Sequence, residues 1–171
     1  MPALNTLRDL LVEELRDLHH AENQLLKALP KMAKAASHEE LKEGFQVHLE
    51  ETREHVDRLE RCFKLLGEKA RGKTCHAMQG LVEEGKEAIT EKAPDAIRDA
   101  KLIGAAQRVE HYEIAAYGTA RAFAETLGES QVADLLQETL DEEGETDKKL
   151  TALAETINQE AAAGAEEEDE A

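Results

Sequence analysis

Apolar residues recur along this chain at intervals of three, four and seven, the spacing of one face of an α-helix. Leu11, Leu15, Leu18, Leu25 and Leu29 form one such stripe. The pattern predicts a helix that starts near Asn5 or Thr6, either of which can cap it, and runs to about Ala36, with a bend at Pro30. Ser37-His38-Glu39-Glu40 reads as a capping box that opens a second helix. Its seam is Leu41, Phe45, His48, Thr52, His55, Leu59, Cys62 and Leu66, and Gly67 ends it. A third long helix follows Pro94-Asp95 and stops at Gly128. The fourth starts near Ser130 and runs to about Ala163, with Val132, Leu136, Leu140, Leu150, Leu153 and Ile157 on its seam.

Between the second and third long helices lies a connection of about 25 residues, far longer than a helix-to-helix turn needs. It contains a short helix over about 77–90 and predicts a crossover from one end of the bundle to the other. That crossover is expected to make the second and third long helices parallel neighbours. Cys75, His76 and Met78 are read as the start and packing of the short helix rather than as a soft-metal site.

Composition agrees with an all-α chain. Of its 171 residues only 3% are aromatic and three are proline, and runs of β-branched residues are absent. Residues 1–163 fit one domain, and the charged stretch 164–171 reads as a disordered tail. The formal net charge of -17 argues against nucleic acid and against anionic membranes as partners. Two cysteines without repeated spacing, and no long apolar run, predict a cytoplasmic protein with no membrane span.

The seams contain residues that a core should reject. Glu22 falls between Leu18 and Leu25, and His48, Glu51 and His55 share the face of the second helix. Glu110, Glu113, Ile114 and Tyr117 share a face of the third, and Glu143, followed by Asp147, lies between Leu136 and Leu150 on the fourth. Any one glutamate on such a seam reads equally well as a long side chain reaching back to water. Four of them, each near the middle of its helix, meet at similar heights when the helices pack antiparallel. There they repel one another and would be driven to protonate unless cations sat among them. Oxygen-rich ligation with some imidazole suits iron or manganese better than zinc. The expected ligand set is therefore Glu22, His48, Glu51, His55, Glu110, Glu113, Glu143 and Asp147, with Glu51 and Glu143 as bridges. Dinuclear carboxylate bundles commonly use Glu-x-x-His on two helices. This chain has none, but carries His48-x-x-Glu51, Glu51-x-x-x-His55 and Glu143-x-x-x-Asp147, which predicts a more carboxylate-rich site.

Several stretches resemble the YciE/YciF family of bacterial stress proteins. They are His48-Leu-Glu-Glu-Thr52, Cys75-His-Ala-Met-Gln-Gly-Leu81 with Glu83-Glu84, Val109-Glu-His-Tyr-Glu-Ile-Ala115 with Tyr117-Gly118, and Glu138-Thr-Leu with Thr146-Asp147. The resemblance runs from about Leu7 to Ile157. It implies a ferritin-like four-helix bundle with a dinuclear metal site, a homodimer, a cytoplasmic role in stress and a ferroxidase-type activity. The resulting expectation is a protein that binds two iron ions, or manganese, and oxidises Fe(II) with O2 or peroxide. Rival expectations are a peroxide-consuming site akin to manganese catalase and a non-enzymatic helical interaction protein.

Overall fold

The computed structural model describes residues 4–169, with side chains through residue 164. The helices are α1 (Leu7–Ala35), α2 (Glu39–Leu65), α3 (His76–Thr90), α4 (Asp95–Thr126) and α5 (Ser130–Asp169). Thr6 caps α1: its side chain accepts from the Asp9 amide, and Asp9 accepts from the Thr6 amide, which satisfies two orphan donors at once. Gly67 and Gly128 follow the ends of α2 and α4 with positive φ, a conformation that favours glycine where a helix must stop. α5 continues to Asp169, past the end expected near Ala163; Glu170 and Ala171 of the expected tail lie outside the described residues. Among the described residues no helix is long and apolar enough to cross a membrane.

The long helices follow the cyclic order α1, α2, α5, α4, with α3 packed across α1 and α4. α2 and α4 run parallel, but they lie on the diagonal of the bundle and not side by side as the crossover had suggested. The physical reason is the route of the connection. It runs along α1, where the Lys73 amide donates to the Arg16 carbonyl (2.9 Å) and the Cys75 amide to His20 Nδ1 (3.1 Å), so α4 returns beside α1. Gly72 lies so close to α1 that an added Cβ would sit 3.1 Å from the His20 Cβ.

A second departure concerns the start of α2. The Ser37 box does not form, and the His38 N-cap makes no side-chain capping bond. Instead the buried Asp99 carboxylate of α4 accepts from the Ser37 amide (3.0 Å) and the His38 amide (2.7 Å). A carboxylate at a helix N-terminus also meets the positive end of the macrodipole, so one side chain serves both purposes.

Two apolar clusters fill the two ends of the bundle. One gathers Leu11, Leu15, Leu18, Leu59, Phe63, Tyr117 and Leu136, and the other Leu25, Leu29, Leu41, Phe45, Leu102, Ile103, Leu150 and Ile157. Between them lies a layer of buried polar side chains.

Candidate metal centre

That polar layer consists of Glu22 from α1, His48 and His55 from α2, Glu110 and Glu113 from α4, and Glu143 from α5, all of them buried. They fall into two groups that share Glu143: His48, Glu110, Glu113 and Glu143, and Glu22, His55 and Glu143. Within each group one ligand-type atom per residue lies within 4.8 Å of the others. Each imidazole turns one nitrogen inward. His48 Nε2 is 3.5 Å from Glu110 Oε1 and 3.7 Å from Glu143 Oε2, while His55 Nδ1 is 3.4 Å from Glu22 Oε1 and 3.2 Å from Glu143 Oε1.

The other nitrogens face outward to acceptors. His48 Nδ1 lies 3.2 Å from Glu51 Oε2 and 3.4 Å from Thr146 Oγ1. His55 Nε2 lies 2.9 Å from Glu142 Oε2, and Arg58 grips both oxygens of that carboxylate at 2.5 and 2.8 Å. A carboxylate behind a ligating histidine fixes its ring and tautomer and raises its basicity. Tyr117, buried on α4, donates its hydroxyl to Glu22 Oε1.

The electrostatics record the crowding. Burial disfavours the charged imidazoles, but Glu110, Glu51 and Glu143 outweigh it and push His48 up to about 9. The same contest, settled by Glu143 and Glu22, takes His55 to about 11. Burial, with neighbouring carboxylates in support, holds Glu110 and Glu113 well above the usual carboxylate range. Glu143 is the exception: burial works against its ionisation, yet the two imidazoles hold it below the usual value.

Even so, hydrogen bonding is incomplete. Glu22 Oε2, His48 Nε2, His55 Nδ1, Glu110 Oε2 and both side-chain oxygens of Glu113 and Glu143 have no hydrogen-bond partner. Ordinary cores leave few such atoms, because each costs about 1–3 kcal/mol.

Six of the eight residues expected at the site are therefore brought together, and the other two lie further out. Glu51 is half-buried behind His48, and Asp147 bonds Gln107 (3.2 Å) and lies 3.3 Å from His111. Both imidazoles come from α2, separated by two turns, so the centre gathers four carboxylates and two imidazoles without any Glu-x-x-His. That is the donor inventory of the ferritin-like template, differently distributed among the helices. The Arg58–Glu142 support of His55 was not anticipated. The signal was present in His55-x-x-Arg58, which puts a cation one turn beyond a seam histidine and facing the acids of α5. A cavity of about 260 Å³ between α2 and α5 reaches the centre, with His48, Glu51, Glu110 and Thr146 at its inner end and Glu40, Glu43, Gly44, Val47 and Lys149 also lining it.

Four long helices with a crossover, gathering carboxylates and imidazoles at mid-height, define a ferritin-like bundle with a buried cluster able to bind metal. The chain belongs to the DUF892 family, described as a domain of unknown function, whose match spans residues 6–163. It is 46% identical over 152 residues to protein YciF of Escherichia coli (strain K12), covering 88% of this chain and 92% of that protein. The crystal structure of the E. coli stress protein YciF superposes with a TM-score of 0.89 at 44% identity, over 91% of this chain and 99% of that one. YcfI from Rhodopseudomonas palustris gives 0.85 at 43% identity, covering 88% and 96%. A two-domain protein of Anabaena variabilis with DJ-1/ThiJ/PfpI-like and ferritin-like domains shares the fold alone, with a TM-score of 0.61 at 21% identity over 91% of this chain and 38% of that one.

Proposed function

We propose that this protein holds two iron or manganese ions at the middle of its bundle and oxidises Fe(II) with dioxygen or peroxide. The observation that carries the reading is the set of buried ligand-type atoms without hydrogen-bond partners on Glu22, His48, His55, Glu110, Glu113 and Glu143. Buried carboxylates in such number are retained where cations compensate them, and a mixed oxygen and imidazole donor set suits iron or manganese. Glu143, common to both groups, would be shared between the two positions. His48, Glu110 and Glu113 would complete one position, and His55 with Glu22 the other. Glu51 is better suited to orient His48 from behind than to bridge, and Asp147 lies outside the ligand set.

Metal ions held by these residues would supply one-electron redox chemistry. The chain's own residues prepare it. Glu51 and Thr146 face His48 Nδ1, and Arg58 holds Glu142 against His55 Nε2, so each ring keeps its inward nitrogen free once its extra proton has left. Tyr117 steadies Glu22. The cavity between α2 and α5, with Glu40, Glu43 and Glu51 in its lining, offers Fe(II) an acidic approach to His48 and Glu110. The balance is simple: each of two Fe(II) substrates gives up one electron, and peroxide with two protons becomes two waters. With dioxygen the same two electrons and two protons yield hydrogen peroxide.

The E. coli relative is a stress protein, which supports a role under stress, and the homodimer and cytoplasmic location expected from the sequence belong to the same proposal. The test is metal analysis of protein purified without chelators, followed by anaerobic Fe(II) titration and exposure to oxygen. The expected result is about two metals per chain, as in other dinuclear bundles, and an oxidation-linked absorbance change. A folded chain that binds no Fe(II) and shows no redox change would remove the proposal. Peroxide disproportionation with manganese but not with iron would replace it by the catalase reading.

A further inference from the structure

A second cavity of about 260 Å³ lies on the other side of the bundle, where α3 crosses α1 and α4. Its wall is apolar: Leu25 and Met32 from α1, Leu81, Val82 and Ile89 from α3, and Val109 from α4. None of the metal-centre residues lines it. An engineered apolar cavity of about 150 Å³ takes up benzene, so this volume suits a larger hydrocarbon group.

Its charge pattern is unlike that of the molecule. In a chain of net charge -17, the polar lining is Lys27, Lys31, Lys86 and Gln24 with no carboxylate. Lys86 pairs with Glu83 at 2.7 Å, but Lys27 and Lys31, one turn apart on α1, make no ion pair among the described residues. Two uncompensated cations beside an apolar recess ask for a ligand with an anionic head and an apolar tail. A docked protein face fits less well. The most exposed large apolar side chains, Leu4, Val47, Leu65, Ile97 and Leu127, all lie elsewhere, so the apolar surface here is recessed and not a patch.

Gly85 supplies the structural reason for the recess. It is buried in the middle of α3 and lines the cavity, yet a Cβ added to it would meet nothing within 4 Å. Glycine there costs helix stability relative to alanine and leaves space where a side chain would fit.

We propose that this cavity binds a single-chain anionic amphiphile of the fatty-carboxylate class, with its tail between α1, α3 and α4 and its carboxylate on Lys27 and Lys31. The site stands independently of the metal reading. The test is calorimetric titration of the full chain with decanoate, 1-decanol and decyltrimethylammonium below their aggregation concentrations. Decanoate should bind once per chain and at least about tenfold more tightly than the cationic analogue, with the alcohol between them. Lys27→Glu with Lys31→Glu should remove the preference for the anion. Gly85→Leu should abolish binding while leaving metal stoichiometry unchanged and the melting temperature no lower. Equal affinity for decanoate and decyltrimethylammonium, no decanoate binding, or undiminished binding by a folded Gly85→Leu would overturn the proposal. So would loss of a dimer by Gly85→Leu in light scattering, which would make the recess a contact with a second copy.

Discussion

His48 and His55 sit two turns apart on α2 and turn one nitrogen each toward Glu143, but what stands behind them differs. His55 is fully buried and backed by Glu142, which Arg58 grips with two bonds. His48 is backed by the half-exposed Glu51 and by Thr146, and the α2–α5 cavity opens onto it. One side is clamped and closed, while the other can be approached from outside. Similar donors can thus serve different purposes, because access and outer support set exchange rate as much as the ligands set affinity. On the proposed reading the clamped side would retain an ion and the open side would trade one.

The comparison breaks first at Glu143, the residue both sides share. Glu143→Ala is expected to abolish binding at both positions, taking anaerobic Fe(II) stoichiometry from about two to none. Next come the outer supports, which should separate the two sides. Glu142→Ala should weaken the His55 side, and Glu51→Ala the His48 side, each by about 10–100-fold in affinity, read as one of two titration steps shifting while the other stays. Asp147→Ala should leave both steps in place.

A smaller and more general effect concerns pH in the metal-free protein. His48 and His55 are held at about 9 and about 11, above the ordinary 6.5, so their contribution to stability is complete below that value. It is lost as pH rises through about 9 and then about 11, and the raised Glu110 and Glu113 act in the same direction. The melting temperature of metal-free protein should therefore fall between pH 6.5 and 9, and bound metal should flatten the slope; a rising melting temperature would contradict these shifts. The smallest effect is kinetic. Gly44 lines the α2–α5 cavity with open space beside it, so Gly44→Leu should slow Fe(II) uptake in stopped flow without changing the end-point stoichiometry.

The long helices, the crossover and the acidic layer were legible in the sequence because helical periodicity is strict and a glutamate on an apolar seam stands out. The division of labour within the layer was not. Glu143 lies on its seam, whereas Glu51 shares a face with His48 and His55 but sits beside the seam proper, and it stays partly exposed while both histidines turn inward. Asp147 follows Glu143 by one turn, but Thr146 takes the buried position and Asp147 faces Gln107 and His111. A shift of about 100° in helix phase decides such cases, and the interhelical packing that fixes the phase is not a local property. The diagonal relation of α2 and α4 escaped for the same reason, since it depends on which flank the crossover follows.

Asp99 has a consequence for how the fold assembles. The first turn of α2 has no cap of its own in the α1–α2 hairpin and acquires one only when α4 arrives with its carboxylate. The ordering of that first turn is thereby tied to the docking of α4. Without α4 the Ser37 and His38 amides have no acceptor from Asp99, so the first turn of α2 is expected to fray until α4 docks.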